Sequence, residues 1–373
     1  MKLNTLFPLL CATLAAGFAP MAFGQSATTY YLDVNGTTSG FGNPDGQTID
    51  WTATDWSTDP TGVAAPGALP NWYSGGNFYP SQLVFGYPGT TGISNSTFTV
   101  TANGPMIAGV VFNAPCSVTL QTFNVFNFLA PEIWSVPAGS TFSIAQEYAN
   151  WSFTTTTIYG GGTINFNCND VGRNAGTFIQ NMTNGTVNLT DAYVDSGVPQ
   201  ASYQLLAGTL NFATGNAASA IGGVAPAGTQ VFNLAGGAVD NTSGSAMTLS
   251  LGNANAQIGG SFAFIGSSSL NFGGNAVNLG TITPTITVNN NTLEFDGPLT
   301  NSAGLTVAGA GTLLLTAVNT YSGNTTISSG TLALSGSGSI ASSPQVSIAA
   351  GATFDVSATG GWSGNGSQTL SGA

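Results

Sequence analysis

Apolar residues recur along this chain as short triplets in which a polar or small residue separates two apolar ones. Clear cases are Ile164-Asn165-Phe166, Val187-Asn188-Leu189, Leu210-Asn211-Phe212, Phe232-Asn233-Leu234, Leu249-Ser250-Leu251, Leu270-Asn271-Phe272, Leu293-Glu294-Phe295, Leu313-Leu314-Leu315 and Leu332-Ala333-Leu334. Alternation with period two predicts strands with one buried face. Most of the triplets follow a Gly-Thr, Asn-Thr or Ser-Ser pair, and the register extends back to Phe98, Val118 and Phe142 and forward to Phe354. Successive first positions are 17 to 24 residues apart. A period near 21 with strand chemistry in every repeat predicts a β-solenoid, each repeat one coil stacked on its neighbours, here an all-β parallel β-helix of about 13 coils. The rival is a β-sandwich, whose turn signals recur every 8–12 residues and hold no fixed phase between strands. In this single register Asn165, Asn188, Asn211, Asn233 and Asn271 occupy one equivalent outward position. Stacked amides suit parallel in-register strands; a sugar-binding stripe is the functional alternative.

The two ends depart from the pattern. Lys2, an apolar run from Leu6 to Phe18 and the small residues of Ala22-Phe23-Gly24 read as a signal peptide over 1–24, cut before Gln25. Pro8, Gly17 and Pro20 interrupt the run, so a retained anchor is the weaker reading, and no transmembrane segment is expected after cleavage. Residues 25–94 hold Trp51, Trp56, Trp72 and the pair Tyr30-Tyr31 without the 21-residue phase. A bare first coil exposes strand edges and core, so this stretch is expected to be an aromatic β cap; exposed aromatics stacking on sugar rings are the alternative. Residues 95–373 are then the repeat domain. The last residues, Gln368 to Ala373, look like the entry to a further coil, which predicts a natural chain that continues and a segment that self-associates through its C-terminal coil.

Composition narrows the chemistry. Of 373 residues, 4% are charged, 52 are Gly and none is His; 14 acids face 2 bases, for a net charge of −12. So few Lys, Glu and Arg leave little to build amphipathic helices, and a cation-poor surface is a poor partner for nucleic acid or anionic lipid. Without histidine the commonest general base and metal ligand is missing. Glu294 and Asp296, two apart on one strand, should share its outward face about 7 Å apart, a spacing glycosidase carboxylates can use; two solvated acids are the bland alternative. Asp170 with Arg173 reads as a loop ion pair, and Asp191 with Asp195 as a weak calcium candidate lacking the nonapeptide calcium repeat. Cys116 and Cys168 fall at different phases on coils two steps apart, beyond disulfide reach, and should be separate buried thiols. No catalytic residue, cofactor or metal is assigned.

A family resemblance enters at residues 304–334. Gly304-Leu305-Thr306, Gly309-Ala310-Gly311-Thr312-Leu313-Leu314-Leu315-Thr316, Asn319-Thr320-Tyr321-Ser322-Gly323, Thr325-Thr326-Ile327 and Gly330-Thr331-Leu332-Ala333-Leu334 closely resemble the autotransporter-associated β-strand repeat, also called the passenger-associated transport repeat. Tyr30-Tyr31-Leu32-Asp33-Val34-Asn35-Gly36, with Asp50-Trp51 and Asp55-Trp56, is similar to the opening of large secreted bacterial proteins with such repeats. Val307 departs from the pattern, since members often carry Lys there, and any charge contact made by that Lys is lost. The resemblance implies a right-handed parallel β-helix in an exported, adhesin-like passenger without catalytic residues. Two function classes follow: a non-enzymatic structural or adhesive surface rod, with a surface polysaccharide or host ligand as partner, and a carbohydrate-active β-helix, lyase or glycosidase.

Overall fold

The computed structural model describes residues 27–38, 41–50, 52–69, 73–74, 77–78, 81–85, 96–102, 106–122, 126–145, 149–150, 155–167, 171–173, 176–190, 202–213, 231–249, 251, 255–360 and 368–372. Every regular element among them is a β-strand, and nearly all pairings are parallel. The fold is the expected parallel β-solenoid, and the chain visits its faces in a repeating order.

The first face begins at Ser81–Phe85 and passes through Met106–Phe112, the end of Phe126–Ser135, Thr155–Tyr159, the starts of Thr177–Leu189 and Ser202–Phe212, then Val231–Leu234, Asn255–Ile258, Val277–Asn278 and Leu299–Thr300. The second face carries Thr97–Ala102, Ser117–Thr122, Thr141–Ala145, Thr163–Phe166, the ends of the same two long strands, Ala238–Asn241, Phe262–Phe264 and Thr285–Val288. It continues through Leu305–Gly309, Thr325–Ile327, Gln345–Ile348 and Thr369–Gly372. A third face is regular from Met247–Thr248 through Leu270–Asn271, Thr292–Phe295, Thr312–Leu315 and Thr331–Ser335 to Thr353–Ala358.

The single register is therefore corrected, because the triplets divide among three faces. Phe98 to Leu210 of the triplet series lie on the second face, Phe232 lies on the first, and Leu270 to Phe354 lie on the third. The alternation is the same on all three faces, so spacing alone does not distinguish one column of strands from the next. Beyond Leu299–Thr300 the first face thins to a lone bridge between Val318 and Ser339.

Inward residues form one continuous core. Ile164, Phe166, Val187, Leu210 and Phe212 are fully buried, while Thr and Asn alternate outward. An aromatic spine threads the axis, with ring centroids of Trp134–Phe142 at 5.4 Å, Trp134–Phe178 at 5.9 Å, Phe178–Tyr203 at 5.2 Å and Phe272–Phe295 at 4.8 Å. Each buried side chain of this kind contributes about 1.5–3 kcal/mol, with roughly 1 kcal/mol more for a well-placed ring pair.

At the N-terminal end, Thr28–Leu32 lies parallel on Ser81–Phe85, and Thr48–Asp50 lies on Thr97–Ala102. Trp56–Ser57 closes the outer edge of Thr28–Leu32 in antiparallel register. Trp56 is buried with its ring 6.4 Å from Phe85. This antiparallel strand occupies the hydrogen-bonding groups that another parallel strand would use.

Candidate functional site

The outward row of the second face is a wire of amides. Asn165 donates Nδ2 to Ser143 Oγ at 3.1 Å, Asn188 donates to Asn165 Oδ1 at 2.7 Å and Asn211 donates to Asn188 Oδ1 at 2.8 Å. In-register parallel pairing places these residues above one another, so each amide meets its neighbour without bending the backbone. The row is shorter than the sequence spacing predicts. Asn233 belongs to the first face, where its Oδ1 accepts from Gly259 N, and Asn271 belongs to the third, where its Nδ2 reaches Asp296. Next in the ladder after Asn211 is Asp240, whose carboxylate is taken up by the backbone and hydroxyl of Ser267. Asn165 Oδ1 and Asn188 Oδ1 are therefore taken up within the row, while Asn211 Oδ1 is buried without a partner.

Glu294 and Asp296 sit together on the third face and touch. Burial, the charge of Asp296 and a direct hydrogen bond between the two carboxyls hold Glu294 above the usual carboxylate range. Asp296 also accepts from Asn271 at 2.9 Å and from Thr316 at 2.8 Å, which ties three successive coils together. That hydrogen bond brings the two carboxyls closer than the separation of about 7 Å expected from strand rise.

Other candidates divide between core and undescribed segments. Trp56 is packed inside, so its ring is not free for a sugar, and Tyr31 stacks on Phe41 at 5.6 Å. Trp51 and Trp72 lie outside the described residues, as do Cys168, Asp170, Asp191 and Asp195. Arg173 lies in the strand Val171–Arg173. Cys116 is a buried free thiol, and burial pushes it up to about 12. Val307 is fully buried between Ile286 and Ile327, so this position faces the core and not a surface charge.

Residues 304–334 show why the motif has its composition. Gly309 has φ +103° and a Cβ there would lie 2.0 Å from Val288 O; one on Gly323 would lie 2.3 Å from Gly304 N. Asn319 is buried where the first face has lost its strands. Its Oδ1 accepts from Leu299 N at 2.8 Å, and its Nδ2 donates to Ala317 O and Ser339 O, each at 2.9 Å. One side chain thus joins the coil before to the coil after. Tyr321 and Thr325 share a hydrogen bond of 2.6 Å, and Thr325 continues to Ser343 at 2.9 Å. Sequence reading named these residues as motif but not as inter-coil staples.

It missed Glu132 altogether. This acid occupies an inward position beside Trp134, is fully buried, accepts from Trp134 Nε1 at 2.9 Å through Oε2, and has no partner for Oε1. The only available signal was an acid two residues before a Trp in a strand with imperfect alternation. Gln180 is a second inward polar residue, held by Tyr203 OH at 2.5 Å and by its own bond to Thr209 O at 2.9 Å. Among the described residues no three His, Cys, Asp or Glu side chains gather closely enough to hold a metal.

Comparison with known proteins agrees with this geometry. Residues 305–334 match the passenger-associated-transport-repeat family. The adhesin BmaC autotransporter of Brucella suis biovar 1 (strain 1330) is 41% identical over 85 residues, which cover 22% of this chain and 2% of that protein. The chain thus spans a small fraction of that relative's length. No solved structure matches the chain. The protein is an all-β parallel solenoid that carries a passenger-associated transport repeat within its coils.

Proposed function

We propose that this chain is a non-enzymatic, exported, adhesin-like β-helix, displayed at the cell surface or secreted, that holds a binding surface away from its attachment point. The observation that carries this reading is the transport repeat built into the solenoid, beside similarity to an autotransporter adhesin. Export through the leader of residues 1–24, removed before Gln25, belongs to the same proposal. So does the division into residues 25–94 and 95–373, the first closing the end of the second. Among the described residues no helix is long and apolar enough to cross a membrane. The partner is a surface polysaccharide or a host surface ligand, met by lateral faces rich in Thr, Ser and Asn. Association of copies through the C-terminal coil is a further part of the proposal, to be read by light scattering over a concentration range.

The decisive experiment is localisation joined to adhesion. Antibody labelling of intact cells and of the culture medium should find the protein outside, and deleting its gene should lower attachment to polysaccharide-coated or host-cell surfaces. Confinement to the cytoplasm, or unchanged attachment, counts against it. Turnover of a polysaccharide abolished by Glu294→Gln with Asp296→Asn would establish the carbohydrate-active alternative instead.

A further inference from the structure

We propose that the turn holding Asp33 and Asn35, together with the facing Asp55, binds a calcium ion through oxygen ligands alone. The placement follows from strand register. Leu32 pairs with Trp56 in the antiparallel ladder that closes the N-terminal edge, so Asp33 and Asp55 emerge opposite each other at one end of that pair. Asp33 N donates to Asp55 O at 2.7 Å, which fixes the two backbones together there. Like charges directly opposite across an antiparallel pair repel.

The side-chain oxygens lack the partners such a position demands. Asp33 is fully buried; its Oδ1 accepts from Asn35 N at 3.2 Å, and its Oδ2 is buried with no hydrogen-bond partner. Asn35 Oδ1 is also buried and without a partner. Two bare acceptors therefore sit two residues apart in one turn, beside a second carboxylate. Burial raises the Asp33 carboxyl, and the charges of Asp55 and Asp59 push it further, while burial raises Asp55 as well. Asp59 is in a different state. Its carboxylate accepts from Thr61, Val63 and Ala64, which holds it down at about 2, so it adds negative field without offering a free oxygen.

Protein cations do not resolve this arrangement, because the chain contains only 2 Lys and Arg residues, Lys2 and Arg173. A hard cation does. Oxygen-only ligands on a turn favour Ca²⁺, which accepts six to eight oxygens in flexible geometry, over Mg²⁺, which demands a near-ideal octahedron. Because no three acidic side chains converge here, the neutral Asn35 oxygen, backbone carbonyls and water would complete the shell. So low a ligand charge sets affinity in the range of about 10⁻⁴–10⁻³ M found for extracellular modules. Binding would pin Thr28–Leu32 to Trp56–Ser57, so the closed edge of the solenoid would be firmest where calcium is plentiful.

The test uses the full chain stripped with EDTA. Titration calorimetry with CaCl₂ should show one saturable site, and about 5 mM CaCl₂ should raise the melting temperature by about 2 °C. Asp33→Asn and Asn35→Ala should each weaken binding by about tenfold or more and abolish the melting shift. Absence of saturable binding in the unaltered chain overturns the proposal, as does binding retained in both variants. A rise in melting temperature for Asp33→Asn, with no calcium binding in the parent, identifies Asp33 as a carboxyl that is simply protonated. Should Asp33→Asn not fold, Asn35→Ala decides alone, since it leaves the carboxylates in place.

Discussion

At the scale of single residues, most polar groups inside the solenoid are answered by a partner, and Glu132 Oε1 is among the few that are not. Burial drives its carboxyl well above the ordinary 4.5, against the opposing hydrogen bond from Trp134. A raised acid is favourable to the fold while protonated, below about 4.5, and that contribution is lost as pH climbs through the elevated folded value. Glu132→Gln is therefore expected to melt like the parent at pH 4 and higher than the parent at pH 8. The difference, on the order of 1–3 kcal/mol for the unanswered acceptor, is measurable by calorimetry at the two pH values. Cys116 gives a second test. With its thiol pushed up to about 12 and enclosed, it should resist iodoacetamide in the native protein and react on unfolding, as mass spectrometry would show. Modification at the native rate of a free thiol would mean the coil around Cys116 opens. Neither environment was legible as such in the sequence, because an inward Glu and an outward Glu differ only by a phase that the segment Phe126–Ser135 does not mark.

At the scale of elements, strand spacing predicts that coils stack but not which face each strand joins. Asn165, Asn188 and Asn211 stack as expected because they share one face, whereas Asn233 and Asn271 do not because their strands belong to others. The row should behave as a unit. Asn188→Ala removes the middle amide and two hydrogen bonds, an expected loss of about 1–2 kcal/mol, whereas Asn233→Ala should cost about half of that. Equal costs in denaturant titrations would show that the row contributes nothing beyond separate contacts. Asn319 lies in the part of the first face where ladder pairing gives out. Its replacement by Ala leaves Leu299 N and the Ala317 and Ser339 carbonyls without that side chain, so a loss on the order of 3 kcal/mol is expected. The transport repeat is on this account a local substitute for a missing strand, with Asn319 of its Asn-Thr-Tyr-Ser-Gly run bonded to the coils on either side.

At the scale of the whole molecule, each coil contacts only its neighbours, so stability is distributed along the axis and opening is local. Thr163–Phe166 to Ser202–Phe212, paired on both sides and filled with Phe and Leu, should show the slowest amide hydrogen exchange. Thr369–Gly372, exposed and paired only to Gln345–Ile348, should exchange fastest among the described strands. Uniform protection from one end to the other would contradict this gradient. The fold class was legible because a strand buried on one side must alternate, and a coil that stacks on copies of itself must repeat; both constraints are local and leave their mark in the order of residues. The partition of strands among faces, the contact of Glu294 with Asp296 and the enclosure of Asp33, Cys116 and Glu132 were decided by tertiary structure. They depend on where three equally alternating columns close around one axis and which side chains that closure brings together, and the distances involved are set between coils some 20 residues apart.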